Sequence, residues 1–158
     1  MPIVNNVTRF LDARKIKYTA HELPAEKIGA LEAAHILNAP EAQVFKTIVT
    51  TREKGKPTLA VIPGDRSVDL KALAAFLGEK KMSLPTEKEA EILTGLQAGG
   101  ISPLALINKG FQAVIDSACQ NYEEIYISGG QRGINIQIGV KDLIHLVNAK
   151  VGAISKST

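Results

Sequence analysis

A lysine interrupts an otherwise largely apolar stretch of the sequence, VFKTIV at positions 44–49. Alternation along a strand places Val44, Lys46 and Ile48 on one face and the other three residues on the opposite face. Because both faces carry apolar residues, the stretch is typical of an internal strand, where an unpaired ammonium group is costly. Lys46 therefore either extends to solvent near a strand end or serves as a pocket cation for a phosphate or a carbonyl oxygen.

A glycine-rich segment, GGISP, could bring backbone groups close to a ligand. Its residues are Gly99, Gly100, Ile101, Ser102 and Pro103. Glycine allows close approach of the backbone, so exposed N–H groups here could meet an anion or a carbonyl oxygen. A plain connection between two elements explains the segment equally well.

A second glycine-rich segment, SGGQRG at positions 128–133, joins two predicted strands. It contains Ser128, Gly129, Gly130 and Arg132. A hairpin turn is a sufficient explanation, although an arginine at such a tip could pair with a phosphate. The segment is neither GxGxxG before a helix nor GxxxxGK[ST], so a Rossmann or Walker nucleotide site has no support.

The remaining residues that often do chemistry show no catalytic or metal-binding pattern. His21, His35 and His145 have no metal-ligand spacing, which predicts no metal site. Cys119 is the single cysteine and has no nearby base, so we expect a small, partly buried residue and not a nucleophile. Asp116 is the last residue of a predicted strand, directly after AVI; it could be catalytic, although a turn or cap role is the more common one at such a place.

The composition fits one domain and leaves a nucleic acid open as a partner. The 158 residues, 45% of them hydrophobic and 22% charged, suffice for a full-sized core. Lys and Arg outnumber Asp and Glu by 19 to 16, which permits a polyanion such as RNA without requiring one. No signal peptide or membrane-helix pattern occurs, so we expect a cytoplasmic protein with no membrane partner.

The elements that position these residues mix helices and strands irregularly. Helical periodicity and caps predict helices near positions 4–15, 30–38, 69–78, 85–93 and 140–150. Alternation predicts strands at 17–23, 42–52, 57–64 and 111–116, two more joined by a turn within 123–138, and a possible last strand at 151–155. Adjacent hairpins without repeated βαβ units favour a single α+β domain over a doubly wound parallel sheet.

The ordered set FKTIV, GGISPL and YISGGQRG resembles the YbaK family. These proteins are free-standing relatives of the editing insertion domain of bacterial prolyl-tRNA synthetase. The similarity runs essentially end to end, and it implies one editing domain over residues 1–158 with a mixed, partly barrel-like sheet and flanking helices. The implied activity is trans-editing, in which the ester of a mischarged aminoacyl-tRNA, typically Cys-tRNA(Pro), is hydrolysed.

The resemblance also assigns site residues. It makes Lys46 the pocket lysine near the terminal adenosine and its phosphate. Residues 99–103 match the loop that binds the aminoacyl end through backbone groups, and residues 128–133 match the opposite wall. Ile28 stands where relatives carry Phe, and Asn135 where many carry Asp, so a carboxylate role does not transfer to that position.

The implied mechanism needs no catalytic residue pair, metal or organic cofactor. In cysteine-specific relatives the substrate's own thiol attacks the ester and forms a thiolactone, a proximity effect. The pair Lys46-Thr47 favours this cysteine type.

Prolyl-tRNA synthetase is the expected partner, because the small chain has no evident anticodon reader. The alternatives are a non-catalytic module that binds an RNA end or a nucleotide, a deacylase for another small amino acid, or a hydrolase of simple esters.

Overall fold

Helices and strands alternate irregularly in the computed structural model, which describes residues 3–158. The α-helices in this range are α1 (Asn6–Ala13), α2 (Ala30–Leu37), α3 (Leu70–Leu77), α4 (Glu87–Thr94) and α5 (Val140–Leu146). The strands are β1 (Tyr18–Glu22), β2 (Phe45–Arg52), β3 (Thr58–Pro63), β4 (Arg66–Val68), β5 (Met82–Ser83), β6 (Gln112–Asp116), β7 (Glu124–Ser128), β8 (Ile134–Gly139), β9 (Lys150–Gly152) and β10 (Ser155–Ser157). The predicted α+β class is confirmed.

Local capping signals set the ends of the helices next to the loops. Before α4, the Thr86 hydroxyl accepts a hydrogen bond from the Glu89 backbone N–H, and the Glu89 side chain accepts one from the Thr86 N–H. This reciprocal pair is the predicted capping box. Helix α3 ends at Gly78, whose φ of 71° belongs to the left-handed region that favours glycine.

The largest sheet has the strand order β5-β2-β3-β6-β9. Strands β2 and β3 form the predicted hairpin and pair antiparallel, with Lys46 opposite Ile62. Strand β6 pairs parallel with β3, and β9 pairs parallel with β6, so the sheet is mixed. The central strands of this largest sheet are apolar on both faces, because helices and the second sheet cover the sheet.

A second sheet has the order β1-β8-β7 and is antiparallel throughout. One face carries the buried isoleucines Ile125, Ile127, Ile136 and Ile138, and the other carries polar residues. A single parallel bridge between Val44 and Tyr126 connects it to the largest sheet. The resemblance implies a partly barrel-like sheet. Within residues 3–158 the strands do not close into a barrel and instead form separate, open sheets.

The C-terminal segment differs from the prediction. The last helix ends at Leu146 and does not reach Lys150. The possible strand at 151–155 is divided into two, β9 and β10, and between them the Ile154 N–H donates a hydrogen bond of 3.0 Å to the Asp116 carboxylate. Beyond this point β10 leaves the main sheet and pairs with β4.

Candidate functional site

A cavity of about 350 Å³ lies beside the point where the two sheets meet. The residue directly before β2, Val44, forms a parallel bridge with Tyr126 of β7, and β2 and β7 make no further pairing in the described residues. The cavity walls come from β2, from the ends of β7 and β8, from the segment before α2 and from the GGISP loop. The edge of β2 from Lys46 to Thr50 has no neighbouring strand on this side, since β5 pairs only with Thr51 and Arg52.

Lys46 is half-buried and lines this cavity. Its Nζ atom donates a hydrogen bond to the backbone oxygen of Gly64 at 3.3 Å. A lysine ammonium has three donors, so this contact leaves two for another partner. The ammonium is therefore held at the cavity wall with donors to spare.

Six of the twelve site residues predicted from the sequence line the cavity. They come from five separate segments of the chain: Ile28, Lys46, Gly99, Ile101, Ser128 and Asn135. The other six do not line it: Gly100, Ser102, Pro103, Gly129, Gly130 and Arg132. The fold thus brings together Lys46, the start of the GGISP loop, the end of β7 and the start of β8.

The predicted residues outside the cavity lining hold the two glycine-rich loops together. A methyl group on Gly100 would lie 2.7 Å from the Gln131 Cα, so the loops touch backbone to backbone. The Arg132 Nε donates a hydrogen bond to the Ala98 backbone oxygen at 2.7 Å. Ser102 is fully buried, and its hydroxyl accepts a hydrogen bond from the Leu104 N–H. These contacts hold the two glycine-rich loops in place and so stabilise the part of the cavity wall that they form.

The remaining three predicted residues also stabilise the local backbone structure of the loops. Pro103 begins a short 3-10 helix. The Gly129 N–H donates to the Ile134 oxygen at 2.8 Å and closes the turn between β7 and β8. Gly130 has a φ of 94°, which a residue with a Cβ adopts only with strain.

Two residues of the cavity carry buried polar atoms that no other described residue satisfies. They are the Thr47 Oγ1 and the Asn135 Oδ1. A buried polar atom without a partner costs about 1–3 kcal/mol, so native proteins keep few of them. A second cavity of about 350 Å³, whose lining includes Gly129 and Gly130, has no such atom among the described residues that line it. The cavity beside Lys46 is therefore the better candidate for a ligand site.

Gly64, which supplies the partner of Lys46, is not among the site residues predicted from the sequence. This glycine follows β3, and its only signal in the sequence is its place directly after a buried apolar strand. A methyl group on it would lie 2.4 Å from the Ala30 Cβ and 2.6 Å from the Val44 backbone oxygen. Space for a side chain is absent because Ala30 of α2 and Val44, directly before β2, both approach this backbone.

Substitution Gly64→Ala is expected to lower the free energy of unfolding by about 1–3 kcal/mol, since the new methyl overpacks against backbone that cannot move freely. Gly29→Ala is the matched control, because a methyl there meets nothing within 4 Å and costs less than about 1 kcal/mol as a cap change. Urea unfolding of both variants checks this. Equal stability of the two variants would contradict the close packing at Gly64.

Cys119 lies in the main hydrophobic core and is fully buried. Burial, with the nearby Asp116 carboxylate, raises the pKa of its thiol to about 11. At neutral pH it is therefore a protonated thiol and not a nucleophile. Asp116 is itself committed to two backbone N–H groups, those of Ala118 and Ile154.

We expect Cys119→Ala to keep deacylase kcat within about twofold of the wild type, because the thiol neither reaches the cavity nor ionises at neutral pH. The same variant should unfold more easily by about 1 kcal/mol, since it leaves a small core void. Initial rates and denaturant unfolding measured on one preparation separate the two effects. A loss of rate beyond tenfold with the fold intact would make the thiol a participant.

The other sequence-based candidates lie away from the cavity. His35 and His145 are exposed on helices, as predicted. Among residues 3–158 no group of three or more His, Cys, Asp and Glu side chains is placed to hold a metal ion. No helix of the described chain has the length and apolarity needed to span a membrane.

Comparison with known proteins gives the family. The aminoacyl-tRNA editing domain family matches residues 25–146. A protein of Enterococcus faecalis (strain ATCC 700802 / V583), provisionally named Cys-tRNA(Pro)/Cys-tRNA(Cys) deacylase EbsC, is 32% identical over 152 residues, which are 95% of this chain and 92% of that protein. A proline–tRNA ligase of Thermodesulfovibrio yellowstonii is 29% identical over 107 residues, 68% of this chain and 18% of the ligase.

The fold agrees with this relationship. The crystal structure of a protein provisionally described as a trans-editing enzyme for prolyl-tRNA synthetase has a TM-score of 0.80 and 27% identity, covering 98% of this chain and 100% of that one. The predicted family and the predicted class of enzyme, an aminoacyl-tRNA deacylase, are confirmed. The chain belongs to the aminoacyl-tRNA editing domain family.

Proposed function

We propose that the whole chain, residues 1–158, is one editing domain that deacylates Cys-tRNA(Pro) in trans in the cytoplasm. The observation that carries this proposal is the make-up of the cavity beside Lys46. It combines a lysine with spare donors and two polar atoms that have no partner among residues 3–158, and no His or Cys of this range lines it. A site of this kind can bind and orient an ester, and it leaves the nucleophile to the substrate.

The reaction proposed for this cavity is an intramolecular displacement. The cysteinyl sulfur attacks the carbonyl carbon of its own ester and loses its proton to solvent. A C–S bond forms, the bond between that carbon and the ribose oxygen breaks, and the oxygen leaves as a hydroxyl after taking up a proton. Water then opens the released thiolactone to cysteine.

Lys46 is the catalytic residue in this proposal. Its ammonium group lies at the wall of the cavity, where it can stabilise the negative charge that develops on the ester oxygen or hold the adjacent phosphate. The protein otherwise holds the thiol near the carbonyl. Holding two reacting groups of one molecule in position can supply much of a rate enhancement without a protein nucleophile.

The cavity lining suits a small side chain. Most of it is apolar, with Ile28, Ile48 and Ile101 among the residues that surround the open volume. Its carboxylate is Glu26, which is exposed, while Lys27 pairs with Glu87 of α4. A proline-specific synthetase confuses side chains of similar size, and a second site that tests the product corrects such errors.

The tRNA is the macromolecular substrate, and we propose prolyl-tRNA synthetase as the partner that selects it. The similarity to a segment of a proline–tRNA ligase supports this proposal. Co-purification of the synthetase with this protein only when tRNA(Pro) is present is the expected result. Strong discrimination between tRNAs by the isolated protein would instead assign the selection to the chain itself.

A panel of esters tests the substrate. Cys-tRNA(Pro), Ala-tRNA(Pro) and cysteine methyl ester are compared at equal concentrations, the last with and without uncharged tRNA(Pro). We expect rapid release from Cys-tRNA(Pro) alone. Faster turnover of the alanyl ester would replace cysteine as the substrate, and equal turnover of the methyl ester would remove tRNA from the reaction.

A further inference from the structure

A groove of about 590 Å³ lies at the opposite end of β2 from the cavity, and the proposed reaction does not use it. Two cations, Arg52 and Lys150, line the groove together with the amide side chains of Gln112 and Asn148. Within residues 3–158 no Asp, Glu or His side chain contributes to this lining. The groove therefore offers cations and hydrogen-bond donors without a carboxylate that would repel an anion.

Two further lysines, Lys56 and Lys109, stand at the rim of this groove. A methyl group on Gly110, which lines the groove, would lie 2.9 Å from the Lys56 Nζ. The same Nζ donates a hydrogen bond to the Lys109 backbone oxygen at 2.8 Å, and the Arg52 Nε donates one to the Lys56 backbone oxygen at 3.1 Å. These bonds join three cationic residues from separate segments of the chain into one surface.

The positive charge of this surface is largely uncompensated. Of its four cations, Arg52 alone forms an ion pair, with the Glu79 carboxylate at 3.3 Å, and the three lysines have no acidic partner in the described part of the chain. The turn between β2 and β3 also carries Glu53 and Lys54, whose charges cancel. Four cations and one carboxylate thus give this surface a net charge as large as the +3 of the whole chain.

The groove lies within reach of an RNA whose aminoacyl end occupies the cavity. Strand β2 connects the two, with Lys46 at the cavity and Arg52 at the groove, a separation of about 20 Å along the strand. The chain after the GGISP loop connects them again, since Ile101 lines the cavity and Pro103 lines the groove. A tRNA ends in a short unpaired tail, beyond which the phosphates of the acceptor stem begin.

The chemistry of the groove suits a nucleic acid better than a protein partner. The core of a protein–protein interface is apolar and depleted in charge. None of the large hydrophobic side chains exposed in the described residues lines the groove. Lysine, arginine and amide side chains are instead the groups that bind phosphate and sugar oxygens of nucleic acids.

We infer that this groove, with Lys56 and Lys109 at its rim, is a docking surface for the phosphates of the tRNA acceptor stem, an assignment that rests on the proposed function. Contacts to phosphates supply affinity and fix the position of the nucleic acid, but they carry no sequence information. The groove would therefore hold any acceptor stem in line with the cavity, and the choice of tRNA stays with the synthetase.

The experiment compares Cys-tRNA(Pro) with the cysteinyl ester of the trinucleotide CCA, which keeps the ester and the terminal adenosine and lacks the stem. The quantity measured is the ratio of kcat/KM for the two substrates, in the wild type and in Lys56→Gln/Lys109→Gln. The matched control is Lys17→Gln/Lys71→Gln, which removes two exposed lysines outside the cavity and the groove. The affinity for uncharged tRNA(Pro) is measured for each protein at several salt concentrations.

We expect the ratio to fall by about tenfold at low salt in Lys56→Gln/Lys109→Gln, with the change in the KM for the tRNA ester. Binding of uncharged tRNA(Pro) should weaken by a similar factor, and the slope of log affinity against log salt should become less negative by about 1–2. Lys56→Arg/Lys109→Arg keeps both charges and should keep the ratio and the affinity. The control pair should change neither quantity.

Three results would overturn the assignment. An unchanged ratio in Lys56→Gln/Lys109→Gln, or an equal fall in the control pair, would show that the groove has no particular role in binding the stem. Unchanged tRNA affinity with weaker association with prolyl-tRNA synthetase would assign the groove to a protein partner. If the wild type releases cysteine from neither ester, the proposed function fails, whereas the binding of uncharged tRNA(Pro) still shows whether the groove contacts RNA.

Discussion

Replacing Lys46 by methionine is expected to lower kcat/KM for Cys-tRNA(Pro) by about 10²–10³-fold, the usual loss when one stabilising donor is removed from a site of developing charge. Methionine keeps the apolar stem and removes the ammonium group. The stability should change little, because that group makes a single 3.3 Å hydrogen bond to the Gly64 oxygen. Loss of activity without loss of stability is the signature of a group kept for function.

The control for this prediction is Lys141→Met, which removes an exposed lysine of α5 outside the cavity. It tests whether any loss of positive charge weakens tRNA binding. Deacylation rates at saturating and subsaturating substrate, together with thermal unfolding, complete the comparison. Equal rates in Lys46→Met and the wild type would remove the ammonium group from the mechanism.

The substrate's thiol should matter about as much as the lysine. We expect Ser-tRNA(Pro) to be hydrolysed about 10²–10³-fold more slowly than Cys-tRNA(Pro), because a hydroxyl is a far poorer nucleophile than a thiol that is partly ionised near neutral pH. The two side chains differ by one atom, so the apolar cavity binds both. The difference should therefore appear in kcat more than in KM.

The first product distinguishes this route from attack by water. Rapid quenching should trap a thiolactone before free cysteine accumulates, since the sulfur leaves with the carbonyl carbon. Comparable rates for the seryl and cysteinyl esters, with cysteine as the first product, would assign the attack to water and require a base in the cavity.

The hairpin that carries Lys46 could be predicted from the sequence because its signals are local. Alternating apolar residues in β2 and β3 and the polar turn between them define both strands and place Lys46 on a known face. The capping box at Thr86 is equally local. The short strands β4 and β5 could not be predicted, because two or three residues carry no period and pair with distant segments.

The candidate site could be predicted only in part, for the same physical reason. Resemblance of whole motifs placed Lys46 and Gly99 in one pocket, and both line the cavity. The packing of Gly100 on the Gln131 backbone, and the use of Arg132 to join the loops, depend on contacts between segments about 30 residues apart. Motif position alone does not separate a residue that faces the ligand from one that supports it.

The unpartnered oxygen of Asn135 had no sequence signal. Whether a buried amide is satisfied depends on what its cross-strand neighbours bind, and here His21 of β1 contacts Gln137, which lies on β8 two residues after Asn135. Such an outcome follows from register and side-chain orientation, which the sequence pattern leaves open. It is nevertheless the feature that most clearly marks the cavity as a site for a polar ligand.

Release of cysteine from Cys-tRNA(Pro) in molar excess over the protein, with Pro-tRNA(Pro) as the parallel substrate, tests the central claim most directly. We predict many turnovers per protein molecule on the cysteinyl ester and a rate near the spontaneous one on the prolyl ester. Binding of both charged tRNAs without release of either amino acid would contradict the claim and identify the chain as a binding module of the editing fold.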